Sequence, residues 1–169
     1  MITKYLPEFK VLEPNNLTGL RCGHVLAQMP AAETLASVTV GETRFIENGV
    51  IACLDAEGKV GNYVAGNQPF VIYNEELCSV LPGNKYYATA ADEECPRGVA
   101  LYVGDTVTTN NYAMGTASKL SDAKYAKVVD GILTLQTAAD ANSMFIATAS
   151  TLADGTPAVE FTYYRMANA

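Results

Sequence analysis

What most limits the folds open to this chain is the rhythm of its turn signals. Asn48-Gly49, Asp55-Ala-Glu-Gly58, Gly104-Asp105, Asp130-Gly131 and Asp154-Gly155 each close a short apolar or β-branched run. Counted with the weaker Gly-, Pro- and Asn-containing turns and loops between them, turn signals recur about every 8–12 residues with no sustained helical period between them. The pattern predicts an all-β chain: a small barrel or sandwich of short antiparallel strands with little helix. The clearest instance is Leu101–Tyr112, LYVGDTVTTNNY. Leu101 and Val103 alternate with Tyr102, Gly-Asp supplies the positive φ of a tight turn, and a β-branched run follows, so strand, turn and strand are expected. A weaker echo, Leu20-Arg-Cys-Gly23-His-Val-Leu-Ala27, stands earlier in the chain.

Taken in order, residues 1–19 read as an extended arm and residues 20–169 as one barrel-like domain. Pro7 and Pro14 block regular helix in the arm, and Tyr5, Leu6, Phe9, Val11 and Leu12 are its apolar anchors. Such a segment can lie along its own barrel or reach a neighbour. Pro30–Ser37 has the composition of one helical turn, and Val38–Val40 returns to strand. Thr43–Glu47, Asn48-Gly49 and Val50–Leu54 read as a type I′ hairpin. Asp55–Gly58 turns into Lys59-Val60, Asn62–Gln68 is loop, and Pro69–Tyr73 and Leu77–Leu81 are short apolar strands. Ala90–Gly98, with Asp92, Glu93 and Glu94, reads as an exposed acidic loop, and Ala113–Asp122 as a polar connection. Two more hairpins are expected around Asp130-Gly131 and around Asp154-Gly155-Thr156-Pro157. A short helix over Ser121–Val129 is the alternative to the first strand of that pair.

Composition narrows the function. With 169 residues the chain can bury about two-thirds of its unfolded surface, so stability requires neither disulfide nor metal. Asp and Glu outnumber Lys and Arg, 18 to 11, giving a formal charge of −7 and an isoelectric point of about 4.6. A nucleic-acid binder presents a basic face, so direct DNA or RNA binding is disfavoured. Charged residues make up 17% of the chain, against roughly 25% in ordinary soluble domains. Its surface must then be rich in Thr, Ser, Asn and Ala, or be covered by partners. That favours an assembly component over a free enzyme.

No apolar run approaches the roughly 18 residues of a membrane helix, and Met1–Pro7 lacks a signal-peptide core, so no membrane partner is expected. Cys22, Cys53, Cys78 and Cys95 are scattered without a CxxC pair and are expected to be free thiols in a reducing compartment. Cys22 and His24, with Cys78 and Cys95 elsewhere, make at most a loose metal-ligand set, and zinc sites announce themselves by paired ligands at short spacing. His24 is the only histidine, and no nucleophile elbow accompanies it. The run Asp92–Glu94 lacks the alternating oxygen ligands and glycine turn of a calcium loop. Neither catalytic residues nor a cofactor or metal are therefore expected. The ten tyrosines fit a sheet surface or an interface. Tyr163 and Tyr164 fall on opposite faces of one strand, so that at least one can face a partner.

The closing run Phe145-Ile-Ala-Thr-Ala-Ser-Thr-Leu-Ala-Asp-Gly-Thr-Pro-Ala-Val-Glu-Phe161 resembles the final hairpin of small structural proteins of tailed-phage heads. Leu20–Ala27 and Tyr102-Val-Gly-Asp-Thr-Val-Thr-Thr109 resemble the glycine-cornered strands of head decoration (cement, or auxiliary capsid) proteins. These are turn motifs, each shared with many β-proteins; their number and order carry the resemblance. It implies a structural virion protein on the capsid exterior, made in the host cytoplasm, that bridges capsomers. Its partners would be the major capsid protein and possible further copies of itself, as a homotrimer or as monomers at symmetry positions. It implies no catalytic residues. At 169 residues the chain is too short for the usual major capsid fold. The interface expected on this reading comprises Tyr5, Leu6, Phe9, Val11, Tyr163 and Tyr164. Alternatives are a head-fibre base or tail-tube component, a small β-barrel that binds a ligand or carbohydrate, and a divergent hydrolase.

Overall fold

The structure, a computed structural model, describes residues 25–26, 29–40, 42–73, 88–90, 95–152 and 155–167. Its strands are β1 (Val25–Leu26), β2 (Val38–Val40), β3 (Thr43–Glu47), β4 (Ile51–Leu54), β5 (Val60–Asn62), β6 (Phe70–Ile72) and β7 (Ala88–Ala90). They continue with β8 (Gly98–Ala100), β9 (Thr106–Thr109), β10 (Tyr112–Met114), β11 (Tyr125–Val129), β12 (Ile132–Gln136), β13 (Ser143–Thr151) and β14 (Pro157–Tyr163). One 3₁₀ turn, Leu120–Asp122, is the only helical element among the described residues. The protein is an all-β sandwich, as the turn rhythm predicts.

The described residues form a six-stranded sheet ordered β10-β12-β11-β13-β14-β9, a five-stranded sheet ordered β1-β8-β6-β4-β5, and a three-stranded sheet ordered β2-β3-β7. All pairings are antiparallel except β10 with β12. The five-stranded sheet is the middle layer. Ile51, Val71, Val99 and Leu101 join one apolar cluster with Phe145, Phe161, Leu133 and Leu135 of the six-stranded sheet. The residues between them in sequence, Ala52, Phe70, Ile72 and Ala100, join a second cluster with Leu35 and Ile46. Alternate side chains point to opposite faces of a strand, so a strand buried on both faces reads as an unbroken apolar run. This accounts for the continuous runs around Ile51–Leu54 and Phe70–Ile72.

The six-stranded sheet is rolled. Its two edge strands, β9 and β10, are joined only by Asn110-Asn111. A flat sheet of this size is about 24 Å wide, whereas three peptide units reach at most about 11 Å. Register adds a stagger: Thr109 lies level with Ala149 on β13, while Tyr112 lies level with Val128 on β11. Strands tilt in this way when a sheet curls toward a barrel. Inside the curl, Phe145 meets Phe161 edge-on at 6.2 Å and Tyr163 at 5.5 Å.

Several local expectations are corrected. The Asn48-Gly49 pair does not make a hairpin, because β3 belongs to the three-stranded sheet and β4 to the five-stranded one. A type I′ turn needs positive φ at both central residues; Gly49 has φ +86°, but Asn48 is not among the positive-φ residues. Instead the pair wedges into the seam between β9 and β10. The Asn48 carbonyl accepts from Asn111 Nδ2 (2.9 Å), and Gly49 N–H donates to the Ile72 carbonyl (2.9 Å). Around Gly104, φ +99°, the expected turn is present, yet β8 and β9 lie in different sheets, so Leu101–Asp105 is a corner between layers. Pro30–Ser37 forms no helical turn: Ala31 bridges to Val60, and Leu35 N–H closes a single turn onto the Ala32 carbonyl. The stretch read as a polar connection from Ala113 belongs at its start to β10. The hairpins β4–β5, β11–β12 and β13–β14 form as expected. Residues 1–24 and 74–87, with the arm and Leu77–Leu81, lie outside the described residues.

Candidate functional site

Of the residues expected at an interface, Tyr163 and Tyr164 fall within the described structure; Tyr5, Leu6, Phe9 and Val11 fall outside it. Alternation along β14 separates the two tyrosines. Tyr163 is 3% exposed, its ring packed on Phe145, and burial followed by the neighbouring Tyr63 phenol pushes its pKa up. It is a core residue, which corrects its assignment to the interface. Tyr164 is half-buried on the opposite side, so it is the member of the pair open to a partner.

Tyr164 is held from three directions. Its N–H donates to the Met144 carbonyl (3.0 Å), its ring lies tilted against Tyr125 at 6.4 Å, and the Arg165 guanidinium sits 5.3 Å from the ring centre. Arg165 is fixed in turn, donating from Nε to the Ser143 carbonyl (2.9 Å) and from Nη2 to the Asp140 carbonyl. The turn it grips is braced by the Asp140 carboxylate. That group accepts from Gln136 Nε2 (2.7 Å), Asn142 N–H (2.8 Å), Ser143 Oγ (3.1 Å) and Lys127 Nζ (3.4 Å). These donors favour the ionised form, and the Asp140 pKa falls to about 2, with Gln136 the largest cause.

Register across the outer face of the six-stranded sheet aligns Tyr125, Ile146, Thr162 and Thr106 in one row over four strands. Ile146 is 44% exposed at the middle of that row, with Tyr164 beside Tyr125 at its end. The next row, Thr148–Glu160–Thr108, carries one charge. Lys127, farther along, is balanced by Asp140. The face is thus a nearly neutral patch of β-branched and aromatic side chains on the outside of the rolled sheet. Where β14 passes the corner, Gly104 N–H donates to the Tyr163 carbonyl and Tyr163 N–H to the Asp105 carbonyl. The Asp105 carboxylate turns inward onto Tyr102 N–H (2.8 Å), leaving Tyr102 and Val103 exposed at an uncharged tip.

Sequence reasoning passed over Ile146 and Tyr125. The signal for Ile146 was present, since the period of two that sends Phe145 and Ala147 inward must send Ile146 outward. Cys53 is a buried free thiol, as expected; its Sγ donates to the Asn62 carbonyl and accepts from Val64 N–H, both at 3.3 Å. Cys95 is free and exposed. Cys22, His24, Cys78 and the acidic run Asp92–Glu94 lie outside the described residues. Among those described, no three His, Cys, Asp or Glu side chains gather as a metal would require, and no helix is long and apolar enough to cross a membrane. Against family models, curated proteins and solved structures, the chain has no match.

Proposed function

We propose that this chain is a non-catalytic structural protein of a virion, decorating the outside of a tailed-phage capsid and stabilising it by bridging capsomers. The observation that carries this reading is the outer face built on Tyr125, Ile146, Thr162 and Thr106 with Tyr164 at its side. A cementing protein needs many modest contacts repeated over a shell, and each copy that spans two capsomers gains from multivalency. A neutral, β-branched and tyrosine-bearing face supplies such contacts without the cost of desolvating charges. The resemblance of the closing hairpin and of the glycine corners to head decoration proteins supports the same reading, as does the low charged fraction of 17%. The partner is the major capsid protein, with self-association as trimers or single copies at symmetry positions. Tyr5, Leu6, Phe9 and Val11 of the first nineteen residues serve as a second attachment.

Co-sedimentation with intact heads from the source of the chain tests this. At 1 M salt the Debye length shrinks to about 3 Å, so binding through the neutral face persists. Paired substitutions Ile146→Asp and Tyr164→Ser weaken it at least tenfold while the circular dichroism spectrum stays that of the parent. Failure to sediment with heads at any salt concentration defeats the proposal. Release by salt alone, with the double variant still bound, moves the interface to charged surface elsewhere.

A further inference from the structure

Three segments meet at one end of the sandwich. Leu101 N–H donates to the Pro69 carbonyl and Gln68 Nε2 to the Leu101 carbonyl, joining the loop 63–69 to the corner 101–105. Gly104 and Asp105 bond the backbone of Tyr163, and the Tyr63 phenol lies beside the backbones of Gly66 and Ala167, which brings in residues 164–167. These segments carry four exposed large apolar side chains: Val64, Tyr102, Val103 and Met166, at 59%, 52%, 70% and 43% exposure. Their charged residues are Asp105 and Arg165. The first turns inward onto Tyr102 N–H, and the second onto the carbonyls of Asp140 and Ser143. In a chain of net charge −7 this end is an apolar surface, and apolar groups gathered in this way mark a binding site.

The register of β1 shows which part of the chain is delivered there. Val25 lies level with Val99 and Leu26 with Gly98, in antiparallel sense. Followed backward from Val25, the chain heads toward Leu101 and the corner, so residues 1–24 join the fold at this end. Thirteen residues separate Val11 from Val25, a tether that spans up to about 45 Å. Such a tether holds the apolar anchors at an effective concentration in the millimolar range, above that of a separate partner in dilute solution. Charge raises no obstacle, because Lys4 and Lys10 offset Glu8 and Glu13 around those anchors.

We propose that in the free protein the arm folds back and seats Tyr5, Leu6, Phe9 and Val11 on the end that bears Val64, Tyr102, Val103 and Met166 of the same chain. Seating removes both apolar sets from water at once. The corner is held in shape before the arm arrives, with Tyr102 N–H bonded to Asp105 and Gly104 N–H to Tyr163, so little ordering remains on that side. A shell with an apolar seat of its own takes the arm by exchange; that last step, unlike the seat itself, rests on the proposed function.

Photo-crosslinking of the full-length chain tests the seat, with p-benzoylphenylalanine in place of Phe9 and the products mapped by mass spectrometry. Crosslinks should fall in residues 63–69, 101–105 or 164–166 of the same chain, with a yield unchanged by tenfold dilution. Replacing the two most prominent tip residues, Tyr102→Ser with Val103→Ser, should lower that yield at least fivefold. Crosslinks confined to other parts of the fold overturn the proposal, as does an unchanged yield in the tip variant. Crosslinks between chains that vanish on dilution also overturn it and give the end to a second copy. Should the tip variant not fold, the crosslinked positions and the dilution series in the parent decide the matter. The readout needs no capsid, so the seat and the proposed function fail separately.

Discussion

The Asp140 carboxylate shows how much one side chain can organise at a surface. It is flanked by Gln136 and Ser143, which are 4% and 0% exposed, and Ser143 Oγ also bonds Gln136 Oε1 at 2.9 Å. Its pKa in the folded protein, about 2, lies below its ordinary value of 3.8. A depressed carboxylate pKa stabilises the fold above the unfolded value, and that contribution is lost as pH falls through the range from about 4 to 2. Because the side chain is 41% exposed, solvent screening keeps the effect modest. Thermal melting of Asp140→Asn should therefore lie below the parent at pH 7 and converge with it by pH 2. A gap that stays constant across this range would mean that the loop is held by the neutral amides alone. This brace was not legible in the sequence. In the sequence Gln136 reads as the end of a strand and Asp140 and Ser143 as ordinary loop residues, and only the closure of β12 onto β13 through β11 brings them together.

At the scale of elements, the turns divide by what their neighbours require. In the β11–β12 hairpin, Asp130 and Gly131 have φ of 48° and 79°, the two positive values that the Asp-Gly pair predicts. Asn48-Gly49 carries an equally strong local signal and makes no hairpin, because Asn111, far along the chain, takes its carbonyl. Local chemistry identified turns; which strands they joined was decided by long-range pairing. The same reason hid β10, a short strand that pairs in parallel with β12, so no hairpin turn joins it to its partner. Alternation was legible along β14, placing Tyr163 and Tyr164 on opposite faces. The glycines of two turns offer a test. A Cβ at Gly131 would lie 2.7 Å from Asn62 Oδ1, which accepts from Ala36 N–H, while a Cβ at Gly58 (φ +76°) meets nothing within 4 Å. Gly58→Ala should cost about 1 kcal/mol, the left-handed penalty alone. Gly131→Ala should cost about 2–3 kcal/mol by urea denaturation, since a hydrogen bond between layers is also displaced. Equal costs would show that the Asn62 contact carries no energy.

The described residues form three layers in which the middle one is apolar on both faces and the six-stranded one is rolled. The rolling follows from two asparagines joining opposite edges, and it has a kinetic consequence. Among the described residues β9 is an edge strand next to β14, so its ladder cannot form until β14 has been made and has arrived. Long-range strand pairing of this kind folds slowly, on the millisecond-to-second scale. Until then the chain presents Thr106-Val107-Thr108-Thr109, a β-branched edge that can template pairing with another molecule. A chain ending at Leu152 should accordingly collapse, bind thioflavin T and sediment as aggregate, whereas added peptide 155–167 should suppress that aggregation. During synthesis the same exposure lasts as long as the ribosome takes to travel from β9 to β14, so slower elongation over that interval should lower the soluble yield.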